Sequence, residues 1–387
     1  MPERIYLDWN ATTPLRPEAR AAMAAAMDIV GNPSSVHAEG RQARRLMEDA
    51  REAVARALGA AARNVVFTSG GTEANALALN PSLRAPAGPV GRLLLSAIEH
   101  PSVLAGGQFP HNSLQTIRVT PSGVIDLEQL RRMLAEGLPA LVSVMAANNE
   151  TGALQPISEV ADIVHAAGSL LHVDAIQALG KIPFDINDVG ADLVTVSAHK
   201  IGGPKGVGAL ILGARAEGLA PLLRGGRQER GRRAGTENVM GIIGFGAAVT
   251  AAMSALETDG LRLERLRDRL EAGLCAAGGA QVFAGDVARL PNTTLFTALG
   301  LKAETAVIGF DLEGIAVSSG SACSSGKVQA SHVLQAMGVG SSAAQGAVRL
   351  SLGWSTREAD IDRAIEAWRK LSMTLINRSD ETVLERF

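Results

Sequence analysis

The chain has 387 residues, of which 47% are hydrophobic, 20% charged and 3% aromatic, and it carries a formal net charge of −2. That apolar share is too high for a disordered chain, and the charge balance gives no reason to expect a nucleic-acid partner. Two cysteines, Cys275 and Cys323, exclude a disulfide framework and a four-cysteine zinc or iron–sulfur site.

The opening MPERIYLDWN has no basic stretch leading into an apolar one, so we expect no secretory signal and a cytoplasmic protein. Residues 41–58 place Ala43, Leu46, Met47, Ala50, Val54, Ala57 and Leu58 on one stripe of a 3.6-residue period, which predicts an amphipathic helix. A β-branched run, Asn64–Thr68, ends at Ser69-Gly70-Gly71 and is followed by a helical run, Ala74–Leu79. Further strands are predicted at 92–97, 141–146, 170–173, 192–197 and 207–212, with helices at 126–136 and 158–167 among them. Apolar runs separated by helices read as a mostly parallel sheet covered on both faces.

From Val239 to Leu256 the chain runs 18 residues without a charge, the lower limit for a membrane span. Glycine and alanine make it weakly apolar and no Trp or Tyr belt flanks it, so it reads as a buried helix packed by small residues. Beyond about residue 250 come an amphipathic helix (261–277) and strands near 293–298, 315–318 and 347–352. Ser355-Thr356-Arg357-Glu358 has the pattern of a capping box opening a last helix. The expected division is a large α/β domain over 15–250 and a smaller α+β domain made of 1–14 and 251–387. Cys275 follows Leu263, Leu266, Leu270 and Leu274, and is expected to be a buried, inert thiol.

The nucleotide motifs fail. No G-x-G-x-x-G follows a strand, and Gly320–Lys327 has the wrong glycine spacing for a phosphate loop. Ser69-Gly70-Gly71-Thr72-Glu73, between a strand and a helix, suits an anion cradle, an ordinary turn or a cap. Asp174 stands just past one apolar strand, and Ser197, His199 and Lys200 end the next. Lys200 is one of only six lysines, and a lysine leaving a buried strand is costly without a task or a partner. An aspartate and a lysine on adjacent strand ends suit pyridoxal phosphate, the lysine forming the Schiff base and the aspartate holding the ring nitrogen protonated. A surface lysine in a glycine turn is the plain alternative. His100 reads as a cap as readily as a catalyst, and His172 with Asp174 lacks a third metal ligand nearby. Arg224, Arg227, Arg230, Arg232 and Arg233 crowd a glycine-rich loop, either solvated or contacting a phosphate or an acidic partner. Cys323 lies on a loop of serine and glycine, which leaves its thiol chemically available.

Ordered along the chain are GNPSSVHAEGR (31–41), TSGGTEAN (68–75), EHPSV (99–103), NNETGALQPI (148–157), HVDAIQ (172–177), SAHKIGGPKG (197–206), QERGRRAGTEN (228–238), SSGSACSSG (318–326) and VRLSLG (348–353). From Tyr6 to about Trp354 this resembles the group I cysteine desulfurases, of the nitrogen-fixation and iron–sulfur-cluster type.

The resemblance implies a fold type I pyridoxal-phosphate enzyme acting as a homodimer on L-cysteine. Lys200 matches the Schiff-base lysine and Asp174 the ring-nitrogen partner. Gln177 and Asn149 match residues that touch the ring oxygen and the substrate. Gly71, Thr72, Ser197, Ala198 and His199 match the cofactor's phosphate surroundings, and Thr236 a phosphate contact from the other subunit. His100 matches a histidine stacked on the ring and proposed as an acid–base. Arg349 matches the grip on the substrate carboxylate, and Cys323 the nucleophile that carries a persulfide and is a candidate transient iron–sulfur ligand. The sulfur would pass to an acceptor scaffold protein for iron–sulfur cluster assembly; no resident metal, membrane or nucleic acid is implied. The rival readings are another enzyme of this fold, a selenocysteine lyase or aminotransferase with Cys323 incidental, and a non-catalytic sulfur scaffold. Two departures stand out. Trp9-Asn10 alters the usual L-D-N-A-A-T-T-P segment and is expected to reshape the cleft entrance. Arg227 replaces a usual glycine of the Thr236 loop.

Overall fold

A computed structural model describes residues 4–320 and 331–376; Cys323 and Lys327 lie outside them. Its centre is a seven-stranded sheet in the order Val65–Thr68, Gly208–Leu212, Leu193–Ser197, Leu170–Asp174, Ala140–Met145, Arg92–Ser96, Leu114–Ile117. Gly208–Leu212 runs antiparallel to both neighbours, and the remaining pairs are parallel. The edge strand Leu114–Ile117 escapes the sequence pattern because Gln115 and Thr116 face solvent.

Alternation divides the strands between two cores. Phe67, Val142, Val144, Leu171, Val173, Val194 and Val196 pack on one face, against helices that include Ala38–Ala57 and Ile157–Ala166. Val66, Leu93, Leu95, Leu141, Leu170, Leu193 and Leu210 pack on the other, with Leu77 and Val103. A sheet buried on both faces needs apolar side chains at every position, which is why these strands read as continuous runs. The first long helix begins earlier than its stripe predicts, since His37 Nδ1 accepts from Gly40 N at 3.2 Å and caps it.

The charge-free stretch forms Val239–Ser254, and Leu256–Gly278 follows it after a 70° bend. A Cβ at Gly244 would lie 2.6 Å from Met23 Cγ, and one at Gly246 would lie 2.7 Å from Ala50 Cα. The glycines therefore let Pro17–Ala26 and Ala38–Ala57 close onto this helix. Among the described residues no single helix is long and apolar enough to cross a membrane.

The second layer is a four-stranded antiparallel sheet ordered Gln281–Val282, Thr293–Thr297, Val348–Ser351, Ser318–Ser319. The strand expected near 315–318 is split: Ile315–Ala316 pairs in parallel with Ile5–Tyr6, while Ser318 lies opposite Arg349. Trp368 anchors this core, tilted edge-on to Phe296 at 4.9 Å, with its indole N–H on Leu274 O at 3.0 Å. The last helix runs Glu358–Leu375. Its cap lies two residues later than the predicted box: Asp360 accepts from Arg357 N at 2.8 Å, and Thr356 Oγ1 accepts from Gly353 N instead. Cys275 is exposed, contrary to expectation. One residue past Leu274 is a 100° rotation, which carries its side chain off the apolar stripe. A bridging cluster of Ile98, Met145, Leu295, Val333, Leu334 and Ala347 joins the two sheets.

Candidate active site

The strands Arg92–Ser96, Ala140–Met145, Leu170–Asp174 and Leu193–Ser197 run parallel, so their carboxyl ends share one edge. There, a cleft of about 260 Å³ is lined by Gly71, Thr72, His100, Asn149, Asp174, Gln177, Ser197, His199, Lys200 and Arg349, with Asn10 and Ala11 from the N-terminal segment. This is the crevice position at which open α/β sheets take ligands.

Lys200 closes a single helical turn, Ala198–Lys200, directly after its strand. Its Nζ donates to the carbonyl oxygens of Asn10 at 2.6 Å and Ala11 at 2.8 Å. Gly202, at φ +90°, turns the chain away; a Cβ there would strike Arg16 Cγ at 2.4 Å.

Asp174 is buried at the end of its strand. Burial pushes its carboxyl above the usual range, opposed by the Ile176 N–H at 3.0 Å, the Asn75 amide at 2.9 Å and the charges of His100 and Lys200. Asn75 is itself fixed, donating to Ser102 Oγ at 2.9 Å and accepting from Thr195 Oγ1. His172, two residues before Asp174, is fully buried between Ser143 Oγ at 2.7 Å and Thr195 Oγ1 at 3.2 Å. Burial lowers its pKa to about 3, so it is a neutral link in this network.

His100 serves as a cap and also lines the cleft. Its Nδ1 accepts from Ser102 N at 3.2 Å, lies 2.8 Å from Ser102 Oγ, and so caps Pro101–Leu104. Burial lowers its pKa, Asp174 raises it, and Lys200 lowers it again. The preceding Glu99 is fully buried, with one carboxyl oxygen accepting from Met145 N at 2.7 Å and the other without a partner among the described residues. Burial, reinforced by Asp174, drives its pKa well above the usual range.

One corner of the cleft has an anion-binding composition. Gly71 and Thr72 begin the helix Gly71–Ala78, whose first-turn N–H groups precede its internal bonding. Glu73 accepts from Ser69 N at 2.8 Å and pairs with Arg233 at 2.9 Å. Ser197 Oγ is buried without a hydrogen-bond partner among the described residues. His199 Nδ1 lies 3.1 Å from Thr12 Oγ1, and its pKa falls to about 4, mainly through burial and then through Lys200. A buried orphan hydroxyl beside a helix start fits a ligand phosphate, and Lys200 with Asp174 fits an aldehyde and a ring nitrogen. The donor set therefore fits pyridoxal phosphate.

Arg349, 1% exposed, donates Nη1 to Asn149 O at 2.9 Å and Nη2 to Asp8 Oδ1 at 2.7 Å, while its Nε is buried without a partner among the described residues. Asn10 is fully engaged. Its N–H bonds Ser351 Oγ, its Nδ2 bonds Thr293 Oγ1, and its Oδ1 receives Lys181 Nζ and Asn292 Nδ2.

Some expected residues stand apart. Ala198 is buried in the main core and does not line the cleft, because the turn after Ser197 rotates its methyl inward. Thr236 is exposed and lines a separate space of its own chain with Ser69 and Arg233. Trp9 does not reshape the cleft. It is buried, edge-on to Trp354 at 4.5 Å, with its indole N–H on Tyr6 O at 2.8 Å; Asn10 alone faces the site. In the arginine run, Arg233 finds Glu73 and Arg232 finds Arg63 O, while Arg224, Arg227 and Arg230 are exposed. Asn75, Asp8, Glu99 and Lys181 were missed as site-supporting residues. Asn75 and Glu99 stand inside quoted motifs, but only the fold reveals their partners. Cys323 lies outside the described residues. The chain before it pairs Ser318 with Arg349, and after it His332 Nε2 lies 2.9 Å from Glu99 O.

Comparison with known proteins agrees with this cleft. Residues 5–364 match the model of the aminotransferase class-V family. A cysteine desulfurase of Cereibacter sphaeroides is 45% identical over 372 residues, 94% of each chain. The structure of a NifS-like protein from Rickettsia africae superposes with a TM-score of 0.87 at 37% identity, covering 95% of this chain and 99% of that one. A structure described as SspA in complex with cysteine superposes at 0.76 with 30% identity, covering 90% and 98%. Sequence, fold and cleft agree: the chain belongs to the class-V aminotransferase family and, within it, to the pyridoxal-phosphate-dependent cysteine desulfurases.

Proposed function

We propose that this cleft removes sulfur from L-cysteine, leaving L-alanine and a persulfide on Cys323. The observation that carries the reading is the meeting of Lys200, Asp174 and Arg349 in one cleft. Lys200 would hold pyridoxal phosphate covalently, Asp174 its ring nitrogen, Gln177 and Asn149 its ring oxygen and the substrate, and Gly71, Thr72, Ser197 and His199 its phosphate. Thr236, outside the cleft of its own chain, would reach the phosphate of a second copy in a homodimer. When bound, the cofactor supplies an electron sink for the pair left by the substrate's α-proton.

The chain's own residues do the rest. Arg349 takes the substrate carboxylate; its Nε is unpartnered among the described residues, and a guanidinium can pair with a planar anion through two N–H groups. The Lys200 amine, released from the cofactor, takes the α-proton. His100, with its pKa lowered by burial, lines the cleft as the group that moves thiol protons. The Cys323 thiolate attacks the substrate sulfur: an S–S bond forms, the Cβ–S bond breaks, and the carbon skeleton leaves as alanine after proton uptake. The described residues on either side of Cys323 sit at Arg349 and Glu99, which supports its access to this cleft. The persulfide would pass to an acceptor protein for iron–sulfur cluster assembly.

Mass spectrometry of the loaded protein after L-cysteine tests this. One added sulfur is expected on Cys323, and Cys323→Ala should stop alanine formation. Sulfur on Cys275, or alanine production that survives Cys323→Ala, would overturn it.

A further inference from the structure

Lys181 and Gln177 lie four residues apart after the Leu170–Asp174 strand, and the function above gives Lys181 no task. Its Nζ donates to Gln177 Oε1 and, at 3.0 Å, to Asn10 Oδ1. The Gln177 amide has a second fixed partner. Its Nε2 donates at 3.0 Å to the Asn10 carbonyl oxygen, the same atom that receives Lys200 Nζ. An amine nitrogen facing two oxygens donates to both, and a carbonyl oxygen can only accept. Between these two partners the Gln177 amide has one workable orientation, with its oxygen toward Lys181 and its NH2 toward Asn10. Asn10 cannot relieve the constraint by turning, because its Nδ2 is bonded to Thr293 Oγ1 at 2.8 Å and Asn149 O at 3.3 Å. Gln177 lines the cleft, so what it offers a ligand is its second N–H, a donor and not an acceptor.

We propose that Lys181 is a positioning residue: by holding the Gln177 carbonyl it turns the Gln177 NH2 group toward the cofactor's ring oxygen. This rests on the proposed role of Gln177. Lys181 would act through orientation alone, without touching cofactor or substrate. The charged and titratable groups around it are Lys200, Arg349 and His199.

The test titrates pyridoxal phosphate into the cofactor-free full chain and reads protein fluorescence for the dissociation constant. Lys181→Met and Gln177→Ala should each weaken binding roughly tenfold, and the double variant should be no weaker than either, because both act on one hydrogen bond. If the methionine variant does not fold, Lys181→Gln replaces it. That amide can present either its oxygen or its NH2 group to Gln177, so it no longer holds the Gln177 carbonyl in place, and it should show the same loss. Lys181→Arg, a donor only, should stay within about twofold of wild type. Wild-type affinity in Lys181→Met or in Lys181→Gln, or losses that multiply in the double variant, would overturn the proposal. A wild-type chain that binds no cofactor would instead overturn the functional reading.

Discussion

Arg349 Nη2 donates to Asp8 Oδ1 at 2.7 Å across 341 positions of sequence, tying the N-terminal segment to a residue that lines the cleft. Asn149 O holds the neighbouring Nη1 at 2.9 Å. The guanidinium is thus oriented before substrate arrives, which reduces the ordering cost of binding. Arg349→Lys should raise KM for L-cysteine roughly tenfold or more, because an ammonium cannot make a bidentate pair. Asp8→Asn keeps a hydrogen-bond acceptor and should move KM only a few-fold. Steady-state kinetics check both, and an unchanged KM in Arg349→Lys would remove Arg349 from carboxylate recognition.

Glu150 is buried and accepts from Ser331 Oγ, and burial raises its pKa to about 7, above the usual carboxylate value of 4.5. With the folded pKa raised, stability is fully present below pH 4.5 and is lost as pH rises toward 7. Glu150→Gln removes this dependence. Melting curves of the two proteins should differ most above pH 7, the variant being more stable by about 3 kcal/mol relative to their difference at low pH. A difference that does not change with pH would place the effect elsewhere.

Glu229 and Arg51 form a buried pair, 2.7 and 2.8 Å in its two bonds, and Glu229 also accepts from Phe67 N at 2.9 Å. The pair holds the loop before Thr236 in place, where Glu229 and Arg230 adopt φ of 46° and 59°, a region that non-glycine residues visit at a cost. Glu229→Gln leaves the buried Arg51 guanidinium with only the more exposed Glu48 carboxylate, 3.0 Å from its Nε, and should cost about 3 kcal/mol in a denaturant midpoint analysis. A loss below about 1 kcal/mol would show the loop is held by other contacts.

A Cβ at position 353 would lie 2.0 Å from the Trp9 ring. Gly353→Ala should therefore destabilise the chain by roughly 2 kcal/mol or more, by overpacking. In a Trp9→Ala background the same change should cost much less, because the obstructing ring is gone. Equal costs in the two backgrounds would mean that Trp9 moves aside freely. Thermal melts of the four proteins decide this.

Much of the fold was legible because each element obeys a local rule. Alternating apolar residues in a doubly covered sheet appear as unbroken runs, the helix Ala38–Ala57 appears as a stripe, and Ile157–Ala166 appears as a helical segment between strands. Leu114–Ile117 was hidden because an edge strand with two solvent-facing polar residues lacks either signature. Cys275 was misjudged because a helix rotates 100° per residue, so a neighbour of Leu274 need not share its environment. Trp9 was expected at the cleft entrance together with Asn10, yet the two lie in a turn closed by Ala11 N on Asp8 O, which packs the indole against Trp354 and leaves Asn10 lining the cleft.

The sequence alone pointed to the chemistry: which lysine and which aspartate stand where strands end, and which cysteine falls in a serine–glycine stretch, in an order that resembles one family. Only the tertiary structure decided how these groups are held. The bonds from Asn10 to Thr293, Asn292 and Ser351, from Asp8 to Arg349 and from Glu229 to Arg51 join residues between about 180 and 340 positions apart. No local propensity encodes such distances. They arise when parallel strands bring their ends to one edge and a second sheet packs against it, so that buried polar groups must find partners wherever the chain has placed them.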